Sequence, residues 1–274
     1  MSGRYNSPIW PHPLTANRTT NRTIILTRIF DDLRYIISVY TTRCYYVNKM
    51  LETIEINPEQ DADCCFICLH GLGANGYDFV SEPGKTPMGM PKNLNMRFVF
   101  PHAPVRKITW ADGKQLRGWF NVVSLDEGDY RDDIVGMTDS AELIQGLIEA
   151  EVSRGIPSTR IVLGGFSQGG VMALYLGLRS QRQLGGIVSL SAWLAGRETV
   201  TAAQDNINGS TPIFIAHGTA DDLIPLDWAE KSHASLVKLG YDVAMLEYPM
   251  GHNICAKELL DLGFWAHRVL TRSS

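Results

Sequence analysis

Ser167 stands at the centre of Gly165-Phe166-Ser167-Gln168-Gly169, a G-x-S-x-G spacing. Glycines two before and two after a serine are what a sharp strand-to-helix turn needs, because the turn strains the serine backbone and leaves no room for neighbouring side chains. Such a turn lifts the hydroxyl clear of a sheet at a helix N-terminus, where the local field favours negative charge. A serine hydroxyl is a weak nucleophile at neutral pH. It needs a base to take its proton and an acid to orient that base. Downstream, Asp221 closes His217-Gly218-Thr219-Ala220-Asp221, and His252 closes Pro249-Met250-Gly251-His252. Serine, then acid, then histidine is a recurring order for nucleophilic triads. Asp222 competes with Asp221 for the acid, and His70, His102 and His217 compete with His252 for the base.

These residues need elements to carry them. Arg160-Ile161-Val162-Leu163 before the motif is apolar and β-branched, and Val171 to Leu178 after it suits a helix. The stretch 53–56 alternates like an edge strand and Pro58 ends it, whereas 64–69 is a wholly apolar strand that runs into the glycine-rich loop 70–76. Further strands are expected at 96–100, 186–190, 211–216 and 243–248. Ile134, Met137, Ala141, Ile144 and Ile148 recur at helical spacing and predict one amphipathic helix over 132–154. Helices at 227–239 and 255–270 complete the alternation. Strands alternating with helices imply an α/β domain over 50–272, with a mostly parallel central sheet covered by helices on both faces. Every residue of the triad then falls directly after a different strand, at the carboxyl edge where such sheets hold ligands. The segment 108–129 reads as an excursion over the surface, and 79–91, rich in proline and glycine, as a flap beside the site.

The chain has 274 residues and a formal charge of −4, which gives no basis for nucleic-acid binding. Cys44, Cys64, Cys65, Cys68 and Cys255 are odd in number and three of them crowd one apolar strand, the pattern of reduced thiols in a cytoplasmic protein. Cys65-x-x-Cys68 has no second pair at zinc-finger spacing, so no metal or other cofactor is expected. No apolar run is long enough for stable insertion across a bilayer. Residues 1–49 differ from the rest, being basic and rich in Thr, Asn and Tyr. We expect them to be an accessory or disordered extension, with Met50 an alternative start; an intact mass of the native protein that includes earlier residues removes that alternative. Asn17-Arg18-Thr19 and Asn21-Arg22-Thr23 match the glycosylation acceptor pattern, which matters only in a secreted protein.

Six spaced motifs together resemble the phospholipase/carboxylesterase family, whose members include acyl-protein thioesterases and lysophospholipases. They are His70-Gly71-Leu72-Gly73-Ala74-Asn75-Gly76, Phe100-Pro101-His102-Ala103-Pro104, the Gly165–Gly170 turn, Leu190-Ser191-Ala192-Trp193-Leu194, the His217-to-Pro225 stretch and Gly251-His252. The resemblance runs from about residue 51 to 270 and implies an α/β-hydrolase fold in a single domain. It selects Asp221 over Asp222, makes Ser167 the nucleophile and His252 the base, and assigns the oxyanion hole to the backbone N–H groups of Leu72 and Gln168. That assignment makes physical sense: glycines flank Leu72, and Gln168 begins a helix, where N–H groups have no intrahelical partner. On this reading the Gln168 side chain matters little. Asn121 stands after Trp119-Phe120 where relatives usually carry Asp, a change that would loosen that loop, although Asn121 can keep some of the acceptor bonds.

The expected activity is hydrolysis of carboxylic esters through an acyl-enzyme, as a carboxylesterase. A lysophospholipase or acyl-protein thioesterase is the alternative, and a non-catalytic binding module on the same fold is the reading from another class. Leu72, Trp119, Trp193 and Met88 are the candidate substrate-binding residues, with Trp110, Phe120 and Met90 beside them. Expected partners are small-molecule or lipid esters and acylated proteins, acting on a monomer or homodimer. Acyl-chain preference depends on the depth of a tunnel, which residue spacing does not encode.

Overall fold

In the computed structural model, residues 51–80, 86–125 and 131–271 are described. Residues 1–49, with their expected accessory role, and Met50 lie outside them. Along the chain come β1 (Thr53–Ile56), β2 (Cys64–Leu69), β3 (Met96–Pro101), β4 (Val105–Ile108), β5 (Lys114–Arg117), α1 (Ile134–Ser153), β6 (Ile161–Phe166), α2 (Gln168–Gly177), β7 (Gly186–Leu190), β8 (Ile213–Gly218), α3 (Leu226–Lys238), β9 (Val243–Tyr248) and α4 (Ala256–Leu270).

The main sheet has seven strands in the order β1-β3-β2-β6-β7-β8-β9. The edge strand β1 is antiparallel to β3 and every other pairing is parallel. Parallel strands must be covered on both faces, which is why β2, β3, β7 and β8 are buried along their whole length. Side chains of a strand alternate between faces. Cys65, Ile67 and Leu69 therefore pack with Met137 and Ile144 of α1, Met172 of α2 and Leu236 of α3. Cys64, Phe66 and Cys68 point the other way, toward Leu262 and Trp265 of α4. Opposite faces also mean that Cys65 and Cys68 cannot share one metal ion.

The chain leaves β2 for β3 on one side and later returns to β6 on the other, so the order reverses between β2 and β6. Loops diverge at such a switch point and open a crevice at the carboxyl ends of the strands. The 70–76 loop and Ser167 lie on its two sides.

Three expectations are corrected. The stretch 108–125 is a surface excursion only in part: it opens with an exposed β4–β5 hairpin but then turns inward, with Trp119 and Phe120 buried, and 126–129 lie outside the described residues. Asn121 does not loosen its loop, because its carbonyl accepts from Thr109 N–H at 2.8 Å and its amide donates to Thr109 Oγ1 at 3.0 Å. Its own N–H donates to Asp133, which also caps α1 by accepting from Gly136 N–H. Residues 81–85 of the expected flap lie outside the described residues. Of the remainder, the one-turn helix Pro87–Gly89 packs against α4 with Met88 and Met90 buried.

Candidate active site

The turn between β6 and α2 sets Ser167 at φ 53°, ψ −123°, a left-handed conformation that non-glycine residues rarely hold and that costs about 1–3 kcal/mol. Its neighbours explain how the turn closes. A Cβ on Gly165 would overlap the Gly169 backbone, and one on Gly169 would overlap the Leu69 carbonyl. Ser167 N–H donates to Leu190 O on β7 at 2.8 Å, which pins the strained residue to the neighbouring strand.

His252, in the loop after β9, places Nε2 3.0 Å from Ser167 Oγ and Nδ1 2.7 Å from Asp221 Oδ2. Its side chain keeps 15 % of its surface open while the Asp221 carboxylate is wholly buried, so the base meets solvent and its orienting acid does not. The other Asp221 oxygen accepts from Leu223 and Ile224 N–H at 3.0 and 2.9 Å, so the turn after β8 grips the carboxylate. Asp222 is exposed, in the same turn. The Phe166 ring packs on His252 at 4.9 Å between centroids.

None of the other three candidate histidines is bonded to Ser167. His217 is buried beneath the Asp221 turn, with Nε2–H donating to Ile224 O at 2.8 Å. His102 accepts from Gly76 N–H at 3.1 Å. His70 accepts from Ala103 N–H at Nε2 and donates from Nδ1 to Gly71 O at 2.7 Å, which fixes a neutral tautomer. Burial holds both His70 and His217 below the usual histidine pKa, and each carries its loop by hydrogen bonds as a neutral ring.

The 70–73 loop reaches the turn closely: a Cβ on Gly71 would lie 3.4 Å from Ser167 Cβ. Gly73 N–H donates to Arg117 O at 2.8 Å. Leu72 is half-buried, and its side chain faces Gly118. Gln168 holds more than expected. It is 2 % exposed, its Oε1 accepts from Trp119 N–H and its Nε2 donates to Phe120 O, both at 2.8 Å. Those bonds span 49 and 48 residues, so no local pattern announced them.

The expected substrate-binding residues divide. Trp193 lines a pocket of about 370 Å³ with Trp228, Leu194, Ser232, Asp132, Arg197, Glu198 and Lys231. Trp228 meets it edge-on at 5.3 Å. The triad residues do not line this pocket. Trp119 is a correction: it is wholly buried and its indole N–H donates to His70 O at 2.8 Å, so it is an internal strut. Met88 is another: it packs on the α4 face with Phe66 and Phe100, in a different cluster from Trp119 and Trp193. Trp110 is nearly half exposed.

Burial raises the Cys64 thiol to about 12 and also pushes those of Cys65 and Cys68 well up, so they are packing groups. Among the described residues no group of three His, Cys, Asp or Glu side chains is placed to hold a metal ion. No helix among them is long and apolar enough to cross a membrane.

The Phospholipase/Carboxylesterase family model matches residues 51–265. Acyl-protein thioesterase 1 of Cryptococcus neoformans is 32% identical over 236 residues, covering 80% of this chain and 98% of that protein. The protein of the same name from Gibberella zeae is 37% identical over 201 residues, covering 70% and 85%. The crystal structure of Zea mays acyl-protein thioesterase 2 superposes with a TM-score of 0.69 at 27% identity, covering 80% of this chain and 99% of that one.

Proposed function

The chain belongs to the phospholipase/carboxylesterase family and is a serine hydrolase acting on esters; on that premise we propose that it is an acyl-protein thioesterase whose catalytic residues are Ser167, His252 and Asp221. The observation that carries this reading is the unbroken relay from Asp221 Oδ2 through His252 to Ser167 Oγ, at 2.7 and 3.0 Å. Ser167 Oγ attacks the acyl carbonyl while His252 Nε2 takes its proton. Asp221 holds the ring in the tautomer that can accept it and stabilises the imidazolium. The oxyanion is met by the N–H groups of Leu72 and Gln168, worth a few kcal/mol each in the transition state. His252 returns the proton to the leaving sulfur or oxygen. Water activated by the same ring then releases the acid and frees Ser167.

The thioester reading takes precedence over the carboxylesterase reading expected from the sequence, because the fungal relatives and the maize structure carry the thioesterase name. Hydrolysis of small carboxylic esters is the second reading, favoured by the carboxylesterase half of the family that matches residues 51–265. We assign the hydrolase domain to residues 50–272. The free thiols of Cys64, Cys65, Cys68 and Cys255 favour a reducing compartment, the cytoplasm.

The test is a fluorophosphonate probe followed by a chain-length series of acyl thioesters and p-nitrophenyl esters. Labelling at Ser167, with long-chain thioesters turned over best, supports the proposal. Labelling with a preference for short oxoesters supports the second reading. No labelling of the folded protein removes both and leaves a binding module.

A further inference from the structure

The two N–H groups assigned above to the oxyanion hole belong to different loops, after β2 and after β6. A hole built from two loops works only if their separation is fixed, because hydrogen-bond donors must sit within about 2.7–3.1 Å of the developing charge. The segment 117–120 is tied to both sides. Toward the turn, Trp119 N–H and Phe120 O are bonded to the two ends of the Gln168 amide. One partner is a donor and the other an acceptor, so only one orientation of the amide satisfies both. Toward the 70–73 loop, the Trp119 indole N–H is bonded to His70 O, and Arg117 O accepts from Gly73 N–H. At Gly118 there is no slack: an added Cβ would lie 3.0 Å from Leu72 Cδ1 and 3.3 Å from Gln168 Oε1. Behind the segment, buried Ser140 of α1 hydrogen-bonds Trp119 O.

We propose that the Gln168 side chain is a positioning residue. It acts through Trp119 to set the distance between the Leu72 and Gln168 N–H groups, so one residue supplies one donor by its backbone and fixes the other by its amide. This rests on the oxyanion-hole assignment of the proposed function. On this proposal the Gln168 side chain matters, in contrast to the expectation that only its backbone N–H does.

Gln168→Met keeps the length and removes both bonds. Gln168→Glu keeps the shape, loses the donor to Phe120 O and sets oxygen against oxygen. Trp119→Phe keeps an aromatic ring in the core and both Gln168 bonds, and removes the bond to His70 O together with part of the indole packing. Active sites are counted with a fluorophosphonate, and kcat and KM are measured per labelled site alongside the inhibition constant of a trifluoromethyl ketone, which forms a tetrahedral oxyanion on the serine. We expect kcat to fall about 10–100-fold in Gln168→Met and Gln168→Glu, and less in Trp119→Phe, with KM changed less than threefold. Ketone affinity should fall in proportion to kcat/KM. A merely structural role predicts fewer labelled sites with normal kcat at each, and that result overturns the proposal. If Gln168→Met does not fold, the other two variants decide on the same terms. Wild-type protein that neither labels nor hydrolyses esters would instead remove the proposed function itself.

Discussion

At the amino edge of the sheet Arg97 is buried between Glu151 of α1 and Glu55 of β1, with Asn57 accepting from its Nη1. At the carboxyl edge Asp221 is buried between His252 and two backbone N–H groups. Both are buried charges with several partners, yet they do different work. Burial opposes the charge on Arg97, but the bond to Glu55 and the field of Glu151 more than offset it and raise its pKa above the ordinary arginine value. Every member of that cluster is consumed in holding others. At the carboxyl edge the chain of partners ends on a serine and a histidine that remain partly open to solvent. Strain collects there too: Ser167 and Ser191, each directly after a central strand, have positive φ. One edge is closed on itself and the other is left with reactive ends.

The sharpest way to break this contrast is Ser167→Ala. It removes no packing of consequence, so we expect an unchanged thermal midpoint and ester hydrolysis lower by about 10⁴-fold or more. His252→Ala should match it. Near-normal turnover in either variant would show that the relay is not the reactive part. Next comes Asp221→Asn, which keeps the shape of the buried turn but no longer holds the histidine in its working tautomer. A loss of about 10³–10⁴-fold is expected, against less than about threefold for the exposed Asp222→Asn. Steady-state kinetics that rank the two in the opposite order would move the acid to Asp222.

At the other edge the effect should appear in stability alone. Glu151→Ala leaves Arg97 buried with a weaker set of partners and leaves Arg154 without its ion pair. Removing one member of a buried pair costs about 3–5 kcal/mol, and we expect about 3 kcal/mol here because Glu55 remains. Urea unfolding reads this directly, while kcat per labelled site should stay at the wild-type value. A fall in kcat with unchanged stability would mean that the two edges are coupled.

The carboxyl edge was the more legible of the two in the sequence. Each reactive residue follows an apolar strand, and Gly165 and Gly169 mark the turn at fixed offsets, so local spacing carried the information. Arg97 gave no such sign: a lone arginine inside Met96–Pro101 reads as an interruption, and its partner Glu151 lies 54 residues away. The same holds for the struts of the site. Trp119 reads as a pocket wall because aromatics beside a serine hydrolase motif suggest substrate contact. Its burial follows from a hairpin that folds 118–120 under the 70–73 loop, a long-range event with no periodic trace. Met88 misled for a related reason, since apolar residues near a loop say nothing about which face of the sheet they will join. His70 follows β2 and His217 sits at the end of β8 much as His252 follows β9, and only three-dimensional placement separates the neutral struts from the ring bonded to Ser167.

Glu258 gives the finest test of the contrast, because it is the carboxylate that Glu151 would be without its arginine. It lies in the first turn of α4 just beyond His252, fully buried, and its Oε2 accepts from Cys255 N–H at 3.3 Å. Among the described residues Oε1 has no hydrogen-bond partner and no cation pairs with the group. Burial raises its pKa from the ordinary 4.5 to about 7, with the Cys255 N–H pulling it back. Between these two values the folded protein holds a proton that the unfolded chain has lost, so stability falls as pH rises through this window. Above about pH 7 both states are ionised and the full penalty is in force, roughly 1–3 kcal/mol. Glu258→Gln mimics the protonated form at every pH. It should therefore raise the urea midpoint at pH 8 and leave it nearly unchanged at pH 5. An equal shift at both values would mean that Glu258 loses its proton over the same pH range in the folded protein as in the unfolded chain, so that burial does not set this unpaired carboxylate apart from the paired one at the amino edge.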